Sequence, residues 1–306
     1  MDFDKPFPAL TPAQRLYLDV NGYVVVENTL TGDEISRCKE AVYRLRDRLV
    51  KLGEAGHSPG RELKAHLQVD KPHHQFMTNI LGADADITAY ATHPRLVGMA
   101  EELIGGESRI VEMNAHINTR DPEIDDDEPR FGFHSGTDAA FATHGHAGLF
   151  HCNFVKTLTA LTDIGPEDGG TTVIAGSHKI DLPDEQLIKL AYEEPSLIHQ
   201  FEAPAGSTLL FGETLVHATG HIRSAKERVI IIAGYSPPMF PYWEEGGLPT
   251  DLGHGVPENL RTLIEGKAHW RRGPRYRSLS DPADDRPFEL GRWWDRSASD
   301  SGSHDL

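Results

Sequence analysis

The chain has 306 residues, of which 38% are hydrophobic, and its formal net charge is −17. A phosphate-binding surface needs clustered Lys and Arg, so this balance argues against nucleic acid and against an anionic membrane surface as partners. Two cysteines, Cys38 and Cys152, cannot build a disulfide framework or a CxxC metal site, and a reducing compartment is the default.

The N-terminal MDFDKPFPAL lacks a basic region followed by an apolar core. The longest apolar run, residues 229–234, is far too short to cross a bilayer. A soluble, cytoplasmic protein is therefore expected. Residues 12–52 read as a short helix, a strand and a long helix. Asn21-Gly22 is a turn signal and Tyr23–Val26 a β-branched run suited to a buried strand. Thr31 and Glu34 have the spacing of a capping box. Behind it Ile35, Cys38, Val42, Leu45 and Leu49 recur at helical intervals, and the helix should stop near Gly53. A polar stretch rich in Gly and His follows to about residue 75. A second helix is predicted over Pro94–Ile104, ended by Gly105-Gly106.

From about residue 109 short β-rich segments alternate with Gly, Pro and Asp turns: 109–118, 150–161, 171–175, 207–211 and 228–235. Short strands at that spacing suggest an antiparallel sandwich or barrel. The acidic run 121–130 reads as a solvated loop. Beyond about residue 240, Trp243, Trp270, Trp293 and Trp294 lie among Pro, Gly and Arg, as in a loop-rich cover. With no internal repeat and no linker, one domain over 1–306 is expected. It divides into a helical leader (about 12–106), a β core (about 107–240) and the cover (241–306).

Three residues have the types and order of a redox metal site. His134 lies in FGFHSGTD, and His217 lies 83 positions later in LLFGETLVHATG. Arg228 follows after eleven more and opens a strand. An open-sided iron site needs two imidazoles and usually a carboxylate on one face, leaving positions for a co-substrate and O2. A bidentate 2-oxo acid would fill two of those positions, and its far carboxylate would want a fixed guanidinium.

Four ordered motifs accompany these residues: NGYVVVENTLTGDEI, HPRLVGMAEELIGG, DIGPEDGGTTVIAGSHK and GSTLLFGETLVHATG…RSAKERVIIIAGYSP. Over residues 12–240 the chain resembles the phytanoyl-CoA dioxygenase family, with Ala175 in place of the usual Pro of the GSHK loop. The resemblance implies a mainly β fold with flanking helices, built on a double-stranded β-helix (a cupin-like jelly roll). It implies an oxidoreductase that uses Fe(II), 2-oxoglutarate as co-substrate and O2. It makes His134 the first iron ligand and His217 the distal one. Arg228 pairs with the C5 carboxylate of 2-oxoglutarate, and Thr219 hydrogen-bonds it. Asn114, His116 and Asn118 alternate along one strand and so share a face, and Asn114 is the candidate that faces the co-substrate.

One position departs from the family pattern. The first motif is normally His-x-Asp, whereas here it is His134-Ser135-Gly136, with no carboxylate at 136. A Gly or Ala there also occurs in iron halogenases of similar fold, where chloride takes the vacated position. Asp138 is a candidate third metal ligand if the loop bulges, and Glu213 is a second reserve carboxylate. The other reading is a two-His site open to chloride or water. His144-Gly145-His146 has zinc-like spacing but no partner to complete it. His151 and His178 read as structural residues. Lys156, inside an apolar strand, needs a partner if buried. The expected activity is hydroxylation of a small molecule. The alternatives are halogenation and a silent small-molecule binder, and fold alone does not decide among them. Loops 53–80, 119–133 and 236–290 would shape the substrate pocket.

Overall fold

A computed structural model describes residues 10–54, 65–126, 131–138, 142–146, 148–243 and 263–266. Its strands are Tyr23–Val26 (β1), His66–Lys71 (β2), His74–Thr78 (β3), Arg109–Asn118 (β4), Thr143–His146 (β5), Leu149–Cys152 (β6), Val155–Ala160 (β7), Thr172–Ile174 (β8), Ile198–Gln200 (β9), Thr208–Gly212 (β10), His217–Ala218 (β11) and Arg228–Ser236 (β12). Seven form one sheet in the order β1-β10-β7-β12-β4-β3-β2, with every neighbouring pair antiparallel. A second sheet has the order β11-β8-β9, and β5 pairs with β6 as a hairpin. Leu158, Leu209, Phe211, Ile230 and Ile232 of the large sheet share a buried cluster with Val173 of the small one. The result is the double-stranded β-helix that the sequence implied.

The period-two pattern sorts each strand onto two faces. On β4, Met113, Ala115 and Ile117 join the larger core on the helical side. Glu112, Asn114, His116 and Asn118 therefore point between the sheets. On β12, Val229, Ile231, Ala233 and Tyr235 go to the helical side, which turns Arg228, Ile230, Ile232 and Gly234 inward. One polar face thus runs through the middle of the fold.

Among the described residues, five α-helices cover the outer face of the large sheet or flank the small one: Pro12–Asn21 (α1), Gly32–Glu54 (α2), Ala85–Ala91 (α3), Pro94–Ile104 (α4) and Asp184–Glu193 (α5). Thr11 starts α1 through a capping box with Gln14, and Gly22 ends it at φ +86°, a conformation that costs Gly little. For α2, Thr31 N donates to Glu34 Oε2 at 2.8 Å, as the spacing predicted. Its buried residues are Cys38, Ala41, Val42, Leu45 and Leu49. Each fully buried Val or Leu contributes roughly 1.5–3 kcal/mol, so this face anchors the helix. Among the described residues no helix is long and apolar enough to cross a membrane.

The leader is less helical than expected. The strand predicted at Tyr23–Val26 is β1, paired with β10, and the leader also supplies the unpredicted β2/β3 hairpin through β4. The predicted strand over 150–161 is broken at Asn153-Phe154 into β6 and β7. Helices α3 and α5 carry too few buried residues for periodicity to reveal them: Ile87, Tyr90 and Ala91 in one, Leu187 and Ala191 in the other.

Candidate active site

The two histidines that lie 83 positions apart are cross-strand neighbours. His134 forms an antiparallel bridge with His217. His134 N donates to His217 O at 3.0 Å, and His217 N to His134 O at 2.9 Å. Their ring centroids are 4.5 Å apart. His134 Nδ1 lies 3.0 Å from Gly132 O and His217 Nδ1 lies 2.8 Å from Leu215 O. A carbonyl only accepts, so both Nδ1 atoms carry the proton and both Nε2 lone pairs are left free. Fixing the tautomer through backbone carbonyls is how proteins prepare imidazole as a metal ligand. Burial pushes His217 below the ordinary imidazole pKa, against the opposing pull of Glu213, which keeps the ring neutral as a ligand must be.

The surrounding motifs hold that pair in place. Ser177 of the GSHK turn is buried and its Oγ accepts from Val216 N at 2.9 Å. Ile174 N donates to Val216 O at 2.8 Å, so β8 and its turn brace the strand that delivers His217. Asp184, at the start of α5, accepts from Ser135 N at 2.8 Å and from Ser135 Oγ at 3.0 Å. Phe133 packs with Leu187, Ala191, Val216 and Ala218. The sequence offered no signal for Asp184 beyond its place behind Pro183.

Arg228 is 2% exposed. Its Nη1 donates to Gly169 O and its Nη2 to Asn118 Oδ1 at 3.0 Å, while Nε is buried with no hydrogen-bond partner. Burial lowers its pKa to about 10. Among the described residues no carboxylate pairs with it. A buried guanidinium without an anion is costly to the fold and suited to binding a carboxylate. The Asp168-Gly169-Gly170 turn is shaped around this residue. Gly169 has φ +62°, and a Cβ on Gly220 would lie 2.0 Å from Gly170 O, so two backbones cross there. Asp168 anchors the turn. Burial would raise its pKa, but hydrogen bonds from Ser224, Lys226 and Gly165 hold it down at about 2.

Between the histidines and β4 lies a buried ion network. Lys156 Nζ is 2.8 Å from Glu112 Oε2 and 3.2 Å from Glu213 Oε1. Lys156 and Glu112 sit on strands that flank β12, each opposite Gly234. A Cβ on Gly234 would lie 2.9 Å from Glu112 Cβ, so the missing side chain lets the pair meet across the strand. Desolvation opposes the charge on Lys156, yet the two carboxylates raise its pKa. Glu213 Oε1 is also 3.9 Å from His217 Nε2. The sequence signalled that Lys156 needed a partner but not that Glu112 was one.

The remaining candidates are placed as follows. Asn118, rather than Asn114, touches Arg228. Asn114 Nδ2 donates to Glu112 Oε1 instead, and its Oδ1 is buried without a hydrogen-bond partner. His116 stacks on Phe76 with centroids 4.1 Å apart. Thr219 is exposed, beside the Gly220–Gly170 crossing. Asp138 is exposed, and among the described residues no three His, Cys, Asp or Glu side chains are gathered to hold a metal. Neither Asp138 nor Glu213 is gathered with the histidine pair into such a group, Glu213 Oε1 standing 3.9 Å from His217 Nε2. His151 is buried. His178 is also buried, with Nε2 3.2 Å from Asp19 O. The side chains of His144 and His146, and Trp270, Trp293 and Trp294, lie outside the described residues. Trp243 packs on Phe154 with centroids 5.1 Å apart.

Residues 18–230 match the Phytanoyl-CoA dioxygenase (PhyH) family. The chain is 23% identical over 252 residues to a probable phytanoyl-CoA dioxygenase of Caenorhabditis elegans, covering 77% of this chain and 78% of that one. HygX from Streptomyces hygroscopicus, with nickel, 2-oxoglutarate and hygromycin B bound, superposes with a TM-score of 0.61 at 21% identity. That match covers 84% of this chain and 98% of HygX. EctD from S. alaskensis, with 2-oxoglutarate and 5-hydroxyectoine, gives a TM-score of 0.58 at 20% identity, covering 80% and 87%. At such identities the structural likeness speaks for the fold.

Proposed function

Because the chain belongs to the phytanoyl-CoA dioxygenase family, and is accordingly an iron- and 2-oxoglutarate-dependent dioxygenase, we propose that it hydroxylates a small-molecule substrate. We further propose that His134 and His217 hold the iron, with Arg228 and Thr219 holding the C5 carboxylate of 2-oxoglutarate. The observation that carries this reading is the conjunction of two imidazoles whose Nδ1 atoms face backbone carbonyls and a buried guanidinium with no carboxylate partner among the described residues. A merely structural histidine pair would not need both Nδ1 protons committed to backbone carbonyls, nor a buried cation alongside. When bound, the metal and co-substrate supply the oxidant: one O2 and one 2-oxoglutarate convert a substrate C–H to C–OH, with succinate and CO2 released. The protein's part is to fix ligand direction, clamp the co-substrate at its far end and exclude water. Leu158, Ile230 and Ile232 belong to the buried apolar cluster between the sheets. Hygromycin B and 5-hydroxyectoine in the HygX and EctD complexes support a small-molecule substrate.

The test is substrate-independent turnover. The parent protein with Fe(II), 2-oxoglutarate and O2 should release succinate slowly, and His217→Ala should release none above the metal-only background. Equal release from parent and variant overturns the assignment. With a substrate in hand, a product heavier by one oxygen atom supports hydroxylation, and one carrying chlorine refutes it.

A further inference from the structure

Resting on the assignment of His134 and His217 as the metal-binding pair, we infer that Glu213, and no residue of the 134–138 segment, supplies the carboxylate of the site. The first ground is steric. A Cβ on residue 136 would lie 1.8 Å from Glu213 Oε2 and 2.9 Å from Glu213 Cδ. The space in which an Asp of a His-x-Asp motif would begin is already filled by a carboxylate carried on another segment. The atoms met there are the carboxyl end of the flexible Glu213 side chain, so a side chain at 136 and this carboxylate compete for one space.

The second ground is the backbone that fixes this relation. Gly136 N and Thr137 N donate to Glu213 O at 2.8 and 3.3 Å, and Glu213 N donates to Phe154 O at 2.8 Å. The carboxylate therefore leaves the same short stretch of chain that delivers His217 and is tied directly to the one that delivers His134. Its Oε1 lies 3.9 Å from His217 Nε2 and 3.2 Å from Lys156 Nζ. Two donors at about 2.0–2.2 Å from one ion and at right angles are roughly 3 Å apart. A rotation of the Glu213 side chain from the Lys156 ammonium toward the imidazoles covers the difference of about an ångström. In the present structure the ammonium serves as the carboxylate's counter-charge.

Charge balance gives the third ground. Glu112, Glu213, Lys156 and Arg228 are buried or nearly so and sum to zero. A divalent metal with dianionic 2-oxoglutarate adds nothing to that sum. Without Glu213 the loaded site would hold one uncompensated positive charge in a water-poor interior, which is strongly unfavourable. Lys156 holds Glu213 within an ångström of the ligating position, and Glu112, 2.8 Å from the ammonium, remains its partner when Glu213 turns to the metal. The same carboxylate occupies the place that chloride would take beside Gly136, so the glycine does not open the site to a halide.

The test is Co(II) binding, read by calorimetry and by the visible absorption of the bound ion, in the parent, H217A, E213G, G136D/E213G and the parent's crystals. E213G should bind Co(II) at least tenfold more weakly, the scale at which even outer partners of a metal site act. The exchange variant G136D/E213G should return to within about threefold of the parent. H217A should lose binding whichever carboxylate is used. If E213G melts like the parent and binds Co(II) equally well while H217A does not, Glu213 is not the ligand and the histidine pair survives. If H217A also binds like the parent, the underlying assignment fails. Should E213G not fold, the Co(II)-soaked parent crystal decides. A Glu213 oxygen about 2.0–2.2 Å from the ion is expected, and a carboxylate still turned to Lys156 overturns the inference.

Discussion

Arg228→Met removes the guanidinium while keeping a side chain of similar reach in the sheet interior. The folded protein holds this cation at 2% exposure, and burial with no carboxylate partner among the described residues lowers its pKa to about 10. Losing one partner of a desolvated charge-assisted pair costs about 2–5 kcal/mol. The dissociation constant of 2-oxoglutarate should rise roughly a hundredfold or more. Stability should move little. Gly169 O and Asn118 Oδ1 lose donors, at about 1 kcal/mol each, but the desolvation cost disappears with the charge. The assay is calorimetric titration of 2-oxoglutarate into the Mn(II)-loaded protein, with a melting curve as the control for folding. An affinity within threefold of the parent, in a protein that melts normally, would falsify the carboxylate role of Arg228.

His134→Ala and His217→Ala should each abolish tight Co(II) or Fe(II) binding in calorimetry, and a variant of either that binds like the parent contradicts the shared site. Thr219→Ala should weaken 2-oxoglutarate by about 1 kcal/mol, roughly fivefold, as expected for one hydrogen bond, and no change would remove Thr219 from the clamp. With Glu213 inferred to supply the carboxylate, Asp138→Ala should leave metal affinity unchanged; a loss comparable to that of a histidine would restore Asp138 as the third ligand. His178 is kept neutral by burial, reinforced by Lys179 and opposed by Asp19, with its pKa lowered to about 4. The unfolded chain takes up this proton from about pH 6.5 downward and the folded chain only near pH 4. Stability should therefore fall across that window by up to about 3 kcal/mol. His178→Gln should flatten the acid limb of the melting temperature against pH, and an unchanged limb would refute the assignment.

The nearness of His134 to His217 was signalled by the motifs around them, whose glycines and hydroxyls have backbone tasks, and His217 and Arg228 each open a strand. Ser177 bonds the strand before His217, and Gly169 accepts from Arg228. The core strands were legible as β-branched or alternating runs, since every residue of β12 is buried and on β4 Met113, Ala115 and Ile117 alternate with Glu112, Asn114, His116 and Asn118. What stayed hidden depended on pairing between distant segments. Nothing local to Glu112 announces Lys156, because the two meet across a third strand and only where Gly234 leaves room. Asn114 and Asn118 share a face, but the antiparallel register places Asn118, not Asn114, opposite Arg228. Gly136 looked like a vacancy because its occupant, the Glu213 carboxylate, comes from 77 residues further along the chain. The β2/β3 hairpin was missed because β2 is short, polar and nowhere fully buried, while β3 buries only its last two residues.

The central claim is that iron and 2-oxoglutarate meet at the His134/His217 pair within reach of Arg228. Anaerobic titration of the Fe(II)-loaded protein with 2-oxoglutarate tests it without knowledge of the substrate. A bidentate 2-oxo acid on Fe(II) gives a weak visible metal-to-ligand charge-transfer band. The parent should develop that band saturably with one equivalent, Arg228→Met only at far higher concentration, and His217→Ala not at all. A parent protein that binds Fe(II) yet shows no band, or a band that persists unchanged in His217→Ala, contradicts the account.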